Sequence, residues 1–288
     1  MHPVNVAYES ATVDLNDKNM IDHFHLEAYN ESAVNYNRDL EAFPVLTRIL
    51  KKISGEESMY KSPTDMGVNR AGFGIVDDKV VQEAAKQEII RRHFRYSCEY
   101  VMGLAEHNTV ERNILLMKEL NITVEHRITV QKAHLAANEA REKQKGHEGI
   151  FCGAAIQLKD GSIITGKNSS LMHAASSLVL NAIKHLAGIP DNIHLLPPNI
   201  IKSIEKLKKE VFCSRNASMD VEEILIALSI SATTNTVAGV AMEKLKDFKG
   251  CEVHITHIPT PGDEAGLRKL GVNLTSDPDF STKNLFVS

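Results

Sequence analysis

Residues 150–167, IFCGAAIQLKDGSIITGK, carry the fold class of this 288-residue chain. The stretch alternates as a strand, breaks at Lys159-Asp160-Gly161, and resumes as a second strand, which is a hairpin signal. Asn168 to Ser170 then offer a cap for a helix over 171–187. Gly188 follows as its C-cap and Pro190 lies just beyond. A short strand is expected at His194 to Leu196, a helix at Ile200 to Lys209, and another from Val221. Asp220 and Glu223 stand there at capping-box spacing, with Asp in place of the usual Ser or Thr. CEVHITHI (251–258) reads as a strand, and a short helix and GVNLT close the unit. Strands alternating with helices predict a three-layer α/β domain over 148–288.

Upstream the period changes. Residues 79–147 read as a helical subdomain. Its first helix runs to about Ala105 behind Asp77 or Asp78 as N-cap, and two more follow over about 109–120 and 125–145. No proline occurs between 63 and 190, as expected of helices joined by short turns. Residues 1–78 form an α+β segment rich in Asn and Asp, with a helix over 39–53 that places Pro44 near its first turn. The fold class is thus α/β multidomain: an α+β segment, a helical subdomain and a C-terminal α/β domain.

The chain is 43% hydrophobic and 24% charged, which suits a globular core. Its net charge of −4 has the two signs interspersed. No basic stripe with interleaved aromatics marks a nucleic-acid surface. No apolar run approaches the ~18 residues of a membrane span, and no signal-peptide pattern is present. A soluble, cytoplasmic protein is expected. Cys98, Cys152, Cys213 and Cys251 are isolated, so neither a zinc knuckle nor a dithiol is signalled, and each reads as a small buried hydrophobe.

Several motifs fail on their chemistry. GSIITGKN (161–168) nearly matches a phosphate loop, but Asn168 replaces the magnesium-binding hydroxyl and Ile163-Ile164-Thr165 is strand rather than loop. Gly72-Phe73-Gly74 has Asp77 where a dinucleotide fingerprint needs its third glycine. DLNDKN (14–19) lacks the central glycine and the terminal glutamate of a calcium loop. His254 and His257, three apart on a strand, point to opposite faces and cannot share one ion without a bulge. His23 and His25 would share a face, with a partly buried turn as the plainer reading. TTNT (233–236) restarts a helix and offers an anion-binding end, or simply a cap.

Two clusters remain. VNYNRD sets Asn35, Asn37 and Asp39 at period two, which gives one polar strand face, with Tyr36 and Arg38 on the other. SPTDMGVNRAGFGIVDD (62–78) brings Asp65, Asn69 and Arg70 beside glycines that permit unusual backbone angles. Both precede the helix at 79 and together make the candidate site.

At these clusters the chain resembles a known family. HPVNVAYESATVDLNDKNMID, VNYNRD, SPTDMGVNRAGFGIVDD, QEIIRR, LIALS, KGCEVH and LGVNLT resemble the bacterial domain of unknown function 1846 family, and the likeness covers essentially the whole chain. It implies a multidomain α/β protein with a helical subdomain, and it implies no reaction. Family members look longer at the N-terminus, with an added α/β domain bearing a glycine-rich, phosphate-loop-like segment. The expectation is therefore that this chain is the C-terminal portion, without that domain. Residues 149–189 also resemble the opening of cytidine-deaminase-like domains. Those need His/Cys-x-Glu and Pro-Cys-x-x-Cys to hold zinc, and neither is present.

The leading expectation is part of a nucleotide- or phosphate-ligand-dependent protein. Arg38 or Arg70 would hold an anionic group through a planar donor fork. Asn35, Asn37 and Asn69 would line the cleft, and Asp39 or Asp65 would act as base or bind magnesium. The expected partners are a small-molecule, phosphorylated ligand and the phosphate-loop-like domain; no metal site is assigned and no cofactor is named. The alternative is a non-catalytic ligand-binding module or a homo-oligomer assembled through 79–145.

Overall fold

The computed structural model describes residues 78–214 and 216–281. The chain divides into two compact units, one of residues 1–93 with 106–126 and one of residues 94–105 with 127–288. The sequence had placed its boundaries at 78/79 and 147/148.

Helix α1 (Asp78–Val101) gives its residues 78–93 to the first unit and the rest to the second, and α2 (His107–Glu119) lies in the first. Ile89 and Ile90 on α1 and Val110 and Met117 on α2 are buried, as their helical spacing predicts. Within QEIIRR, Glu88 pairs with Arg91 Nε at 3.0 Å and Arg92 Nε at 3.1 Å. Burial pushes the Glu88 carboxyl up, but the two guanidiniums outweigh it and hold it below the usual range.

The second unit is mixed α/β. Helix α3 (Ile128–Glu142) leads into strands β1 (Gly153–Gln157) and β2 (Ile163–Lys167). These form the expected hairpin, pairing Gly153 with Lys167 and Gln157 with Ile163. Gly161 turns the chain at φ 84°, and Asp160 Oδ1 accepts from Ser162 N. Helix α4 (Ala174–Leu186) follows, then α5 (Pro198–Lys206), α6 (Val221–Ala232), α7 (Thr236–Glu243), β3 (Glu252–Ile255), α8 (Pro261–Lys269) and β4 (Asn273–Ser276). The sheet runs β2-β1-β3-β4, antiparallel until β3 and β4 pair in parallel.

Helices cover both faces of this sheet. A side chain at Gly153 would strike the α3 backbone at Ala133 and Ala137, and one at Gly166 would strike the α4 backbone at Ala174 and Leu178. Residues 153 and 155 therefore face α3, while Ala154 and Ile156 face α4 and the main core. That core takes in Leu178, Ile183, Ile224, Leu228, Val253, Ile255 and Leu267.

The capping box holds as read: Asp220 Oδ1 accepts from Glu223 N, and the Glu223 carboxylate accepts from Asp220 N. Three local expectations change. Residues 194–196 are not a strand; Leu195 and Leu196 are buried in an irregular segment. The α4 N-cap is His173 rather than a residue of 168–170. Cys213 is exposed, whereas Cys98, Cys152 and Cys251 are buried as expected.

Candidate functional site

The second unit gathers its titratable groups where the strands end. Asp263, in the first turn of α8, is 1% exposed. Its Oδ2 accepts from His173 Nδ1 at 2.7 Å and from Thr260 Oγ1 at 2.8 Å, and its Oδ1 accepts from Val221 N at 3.0 Å. Thr260, the α8 N-cap, also accepts from Asp263 N. One carboxylate thus ties the start of α8 to the starts of α4 and α6.

The hydrogen bonds assign the His173 tautomer. Asn216 Oδ1 accepts from Ser218 N at 2.9 Å, so its Nδ2 is the group facing His173 Nε2, at 3.4 Å. A donor there leaves Nε2 as the acceptor and puts the ring proton on Nδ1, toward Asp263. At 3.4 Å that contact is weak, so Nε2 stays available. Burial pushes the imidazole pKa down, but the hydrogen bond and charge of Asp263, with the charge of Asp220, outweigh it and raise it.

His173 opens onto a cavity of about 80 Å³ whose wall includes Cys152, Asn168, Ser218, His257 and Thr260. That is far below the ~300–1,000 Å³ of a site for a drug-sized ligand. It admits a small polar group rather than a nucleotide. His257 is buried and its Nδ1 finds no hydrogen-bond partner among the described residues. Burial pushes its pKa down to about 4, so it stays a neutral ring presenting an unmet polar atom. Burial likewise pushes the Cys152 thiol up to about 12, which removes the thiolate and its nucleophilicity. Asn168 Oδ1 accepts from Cys152 N at 2.8 Å, so the residue that spoils the phosphate-loop motif serves to brace the hairpin.

A larger cleft of about 520 Å³ lies beside α4, lined by Leu180, Asn181, Lys184 and Ile201 among others. Its one buried cation, Lys184, is bonded to Asp191 O at 2.7 Å. No acid–base pair converges there, so chemistry favours the smaller cavity over the larger one.

Asn35, Asn37, Arg38, Asp39, Asp65, Asn69 and Arg70 lie outside the described residues, as do His23 and His25. TTNT is a cap: Asn235 Oδ1 accepts from Val237 N and Ala238 N. His254 and His257 do part company, one going to Thr275 and the other to the His173 cavity. Sequence reading passed over His173 and Asp263, which lie 90 residues apart. The one available signal was a histidine directly before an apolar helix start.

Fold and site together define a mixed α/β protein with a carboxylate-oriented histidine at a small cavity. The family profile for the domain of unknown function DUF1846, C-terminal, matches residues 125–286, and that for its N-terminal part matches residues 1–121. The chain belongs to the DUF1846 family, a family of unknown function. It is 52% identical over 286 residues to a UPF0371 protein of Clostridium botulinum strain Langeland, and 49% identical over 285 residues to one of Clostridium tetani. Each alignment takes in 99% of this chain and 57% of the relative, so the chain spans little more than half their length. The expectation of a C-terminal portion alone is not supported, because the N-terminal profile also matches. No described helix is long and apolar enough to cross a membrane.

Proposed function

We propose that the second unit carries a general acid–base site acting on a small anionic ligand, with His173 as the proton-transfer group. The observation that carries this reading is the chain Asp263–His173–Asn216, which leaves His173 Nε2 facing a small cavity with its tautomer assigned. Asp263 orients the ring and stabilises its protonated form. Nε2 takes or returns the proton, and Asp263 favours the protonated ring by raising its pKa. The α4 N-terminus adds the anion preference: His173 makes no side-chain cap there, so the first amides of the helix remain donors. Ala174 lines the same cavity. With Cys152 held as a neutral thiol, the chemistry is proton transfer rather than thiolate attack.

The nucleotide- or phosphate-ligand reading of the sequence is a separate proposal, for the first unit. There Arg38 or Arg70 would hold an anionic group, Asn35, Asn37 and Asn69 would line its cleft, and Asp39 or Asp65 would act as base or bind magnesium. The phosphate-loop-like domain is the proposed partner in the longer relatives, and the deaminase-like opening of 149–189 is a proposed likeness of fold alone.

Calorimetry with inorganic phosphate and small phosphate monoesters tests the reading. Replacing His173 by Gln removes one charge-assisted hydrogen bond, worth about 1.5–3 kcal/mol, and so weakens binding about tenfold or more. Arg70→Ala tests the first-unit reading on its own, and is expected to weaken nucleotide binding by the longer family protein. Equal affinity in wild type and His173→Gln contradicts the site.

The alternative, an assembly module, draws on exposed apolar side chains: Leu104 at 74%, and Ile226 and Ile230 on α6. Light scattering decides it. A stable oligomer with no phosphate response favours the module.

A further inference from the structure

We propose that His134, His254 and Asp277 form a binding site for a divalent transition-metal ion, separate from the His173 cavity. His134 comes from α3, His254 from β3, and Asp277 follows β4, so three elements converge on the α3 face of the sheet. Asp277 Oδ2 stands 3.0 Å from His134 Nε2, and Asp277 Oδ1 stands 3.2 Å from His254 Nε2. The three donor atoms all lie within 4.8 Å of one another. An ion bound tetrahedrally at about 2.1 Å holds neighbouring donors about 3.4 Å apart, close to these spacings.

The decisive group is His254. Its ring is fully buried, and its Nε2, 3.2 Å from Asp277 Oδ1, makes no hydrogen bond. Its other nitrogen, Nδ1, lies 2.9 Å from Thr275 Oγ1. Thr275 donates its single proton to Val253 O and accepts from Arg127 Nε at 3.0 Å. With that proton committed, Thr275 Oγ1 is an acceptor for His254, so the ring proton sits on Nδ1 and Nε2 bears a lone pair. A lone pair and a carboxylate oxygen 3.2 Å apart repel unless a cation stands between them. A metal ion satisfies all three donors at once.

The plainer arrangement is an ion pair between His134 and Asp277 with His254 packed beside it. That leaves the buried Nε2 unsatisfied, at a cost of about 1–3 kcal/mol. The surroundings also resemble the support of a bound metal. Thr275 fixes the His254 tautomer as an outer partner would, and Phe94 packs its ring 4.7 Å from the imidazole, holding its plane. His134 is half exposed, which gives the ion an entry path. Two imidazoles and one carboxylate suit Zn²⁺, Fe²⁺ or Co²⁺ rather than Ca²⁺ or Mg²⁺. Three protein donors leave a position for water or a ligand, as in sites that act on a bound molecule rather than only hold the fold.

The test is calorimetric titration of the full chain with Zn²⁺, with Co²⁺ absorption to report the donor set. Expected are one saturable site per chain and Co²⁺ bands of low coordination number. His134→Ala, at a half-exposed position, and Asp277→Ala are each expected to weaken binding about tenfold or more. The exposed control His185→Ala is expected to bind as wild type. In the wild-type protein, diamagnetic Zn²⁺ should move the ring signals of His134 and His254, a readout that needs no variant to fold. Absence of a saturable site overturns the proposal. So does full affinity in both His134→Ala and Asp277→Ala, or binding lost in His173→Ala and kept in His134→Ala.

Discussion

Asp263 Oδ2 lies 2.7 Å from His173 Nδ1, and the same carboxylate accepts from Val221 N at the first turn of α6. One buried charge therefore orients the histidine and pins two helix starts. Asp263→Ala is expected to cost about 3 kcal/mol of unfolding free energy, because it strips partners from a half-buried imidazole and a buried backbone amide together. Urea unfolding of the variant checks this. A loss under about 0.5 kcal/mol would mean that the contacts are not formed in solution.

His257 supplies a pH dependence of definite sign. Its pKa falls from about 6.5 in an unfolded chain to about 4 in the fold. Its contribution is therefore present in full above about pH 6.5 and is lost as pH falls toward about 4. Between about pH 7.5 and about pH 5 this residue alone accounts for about 2 kcal/mol of lost stability. His257→Gln removes the titration, so its unfolding free energy should fall by that much less over the same interval. Parallel pH profiles for the two proteins would count against a buried, neutral His257.

The two strand glycines set how closely helices approach the sheet. Gly153→Ala and Gly166→Ala would each push a methyl group into helix backbone, that of α3 and α4 respectively. Backbone cannot swing aside as a side-chain tip can, so each substitution is expected to cost about 3 kcal/mol. Gly161→Ala also costs stability, by a different route: its Cβ meets nothing, and φ 84° is the whole penalty. Thermal unfolding of the three variants separates close packing from backbone strain.

The sequence was most readable where the physics is local. The hairpin at 153–167, the capping box at Asp220 and Glu223, and the start of α6 follow from spacing and turn chemistry within a few residues. Residues 194–196 misled because a short apolar run serves equally as strand or as buried irregular chain. His173 and Asp263 were illegible for another reason. Their meeting depends on α4 and α8 being brought together by the core, and no local pattern encodes a contact across 90 residues. His254 and His257 were correctly kept apart by strand alternation, yet the partners of each come from distant elements. The cluster around Asp39, Asp65 and Arg70 stands outside the described residues, so its reading rests on motif and resemblance.

Thiol chemistry offers a simple check on the cavity wall. Cys213 is exposed, while Cys98, Cys152 and Cys251 are buried with their pKa values pushed up, by burial first. A thiol reagent at neutral pH should modify one cysteine quickly and the other three only after unfolding. Fast labelling of Cys152 would show an open cavity and an available thiolate, and would revive nucleophilic chemistry there.

The most direct measurement is an NMR titration of the His173 ring in wild type and Asp263→Asn, each with and without inorganic phosphate. A wild-type pKa above about 6.5 is expected, with a clear fall in Asp263→Asn and a further rise in wild type when phosphate binds beside the ring. A His173 pKa that is the same in both proteins and indifferent to phosphate would contradict an Asp263-held acid–base site for an anionic ligand.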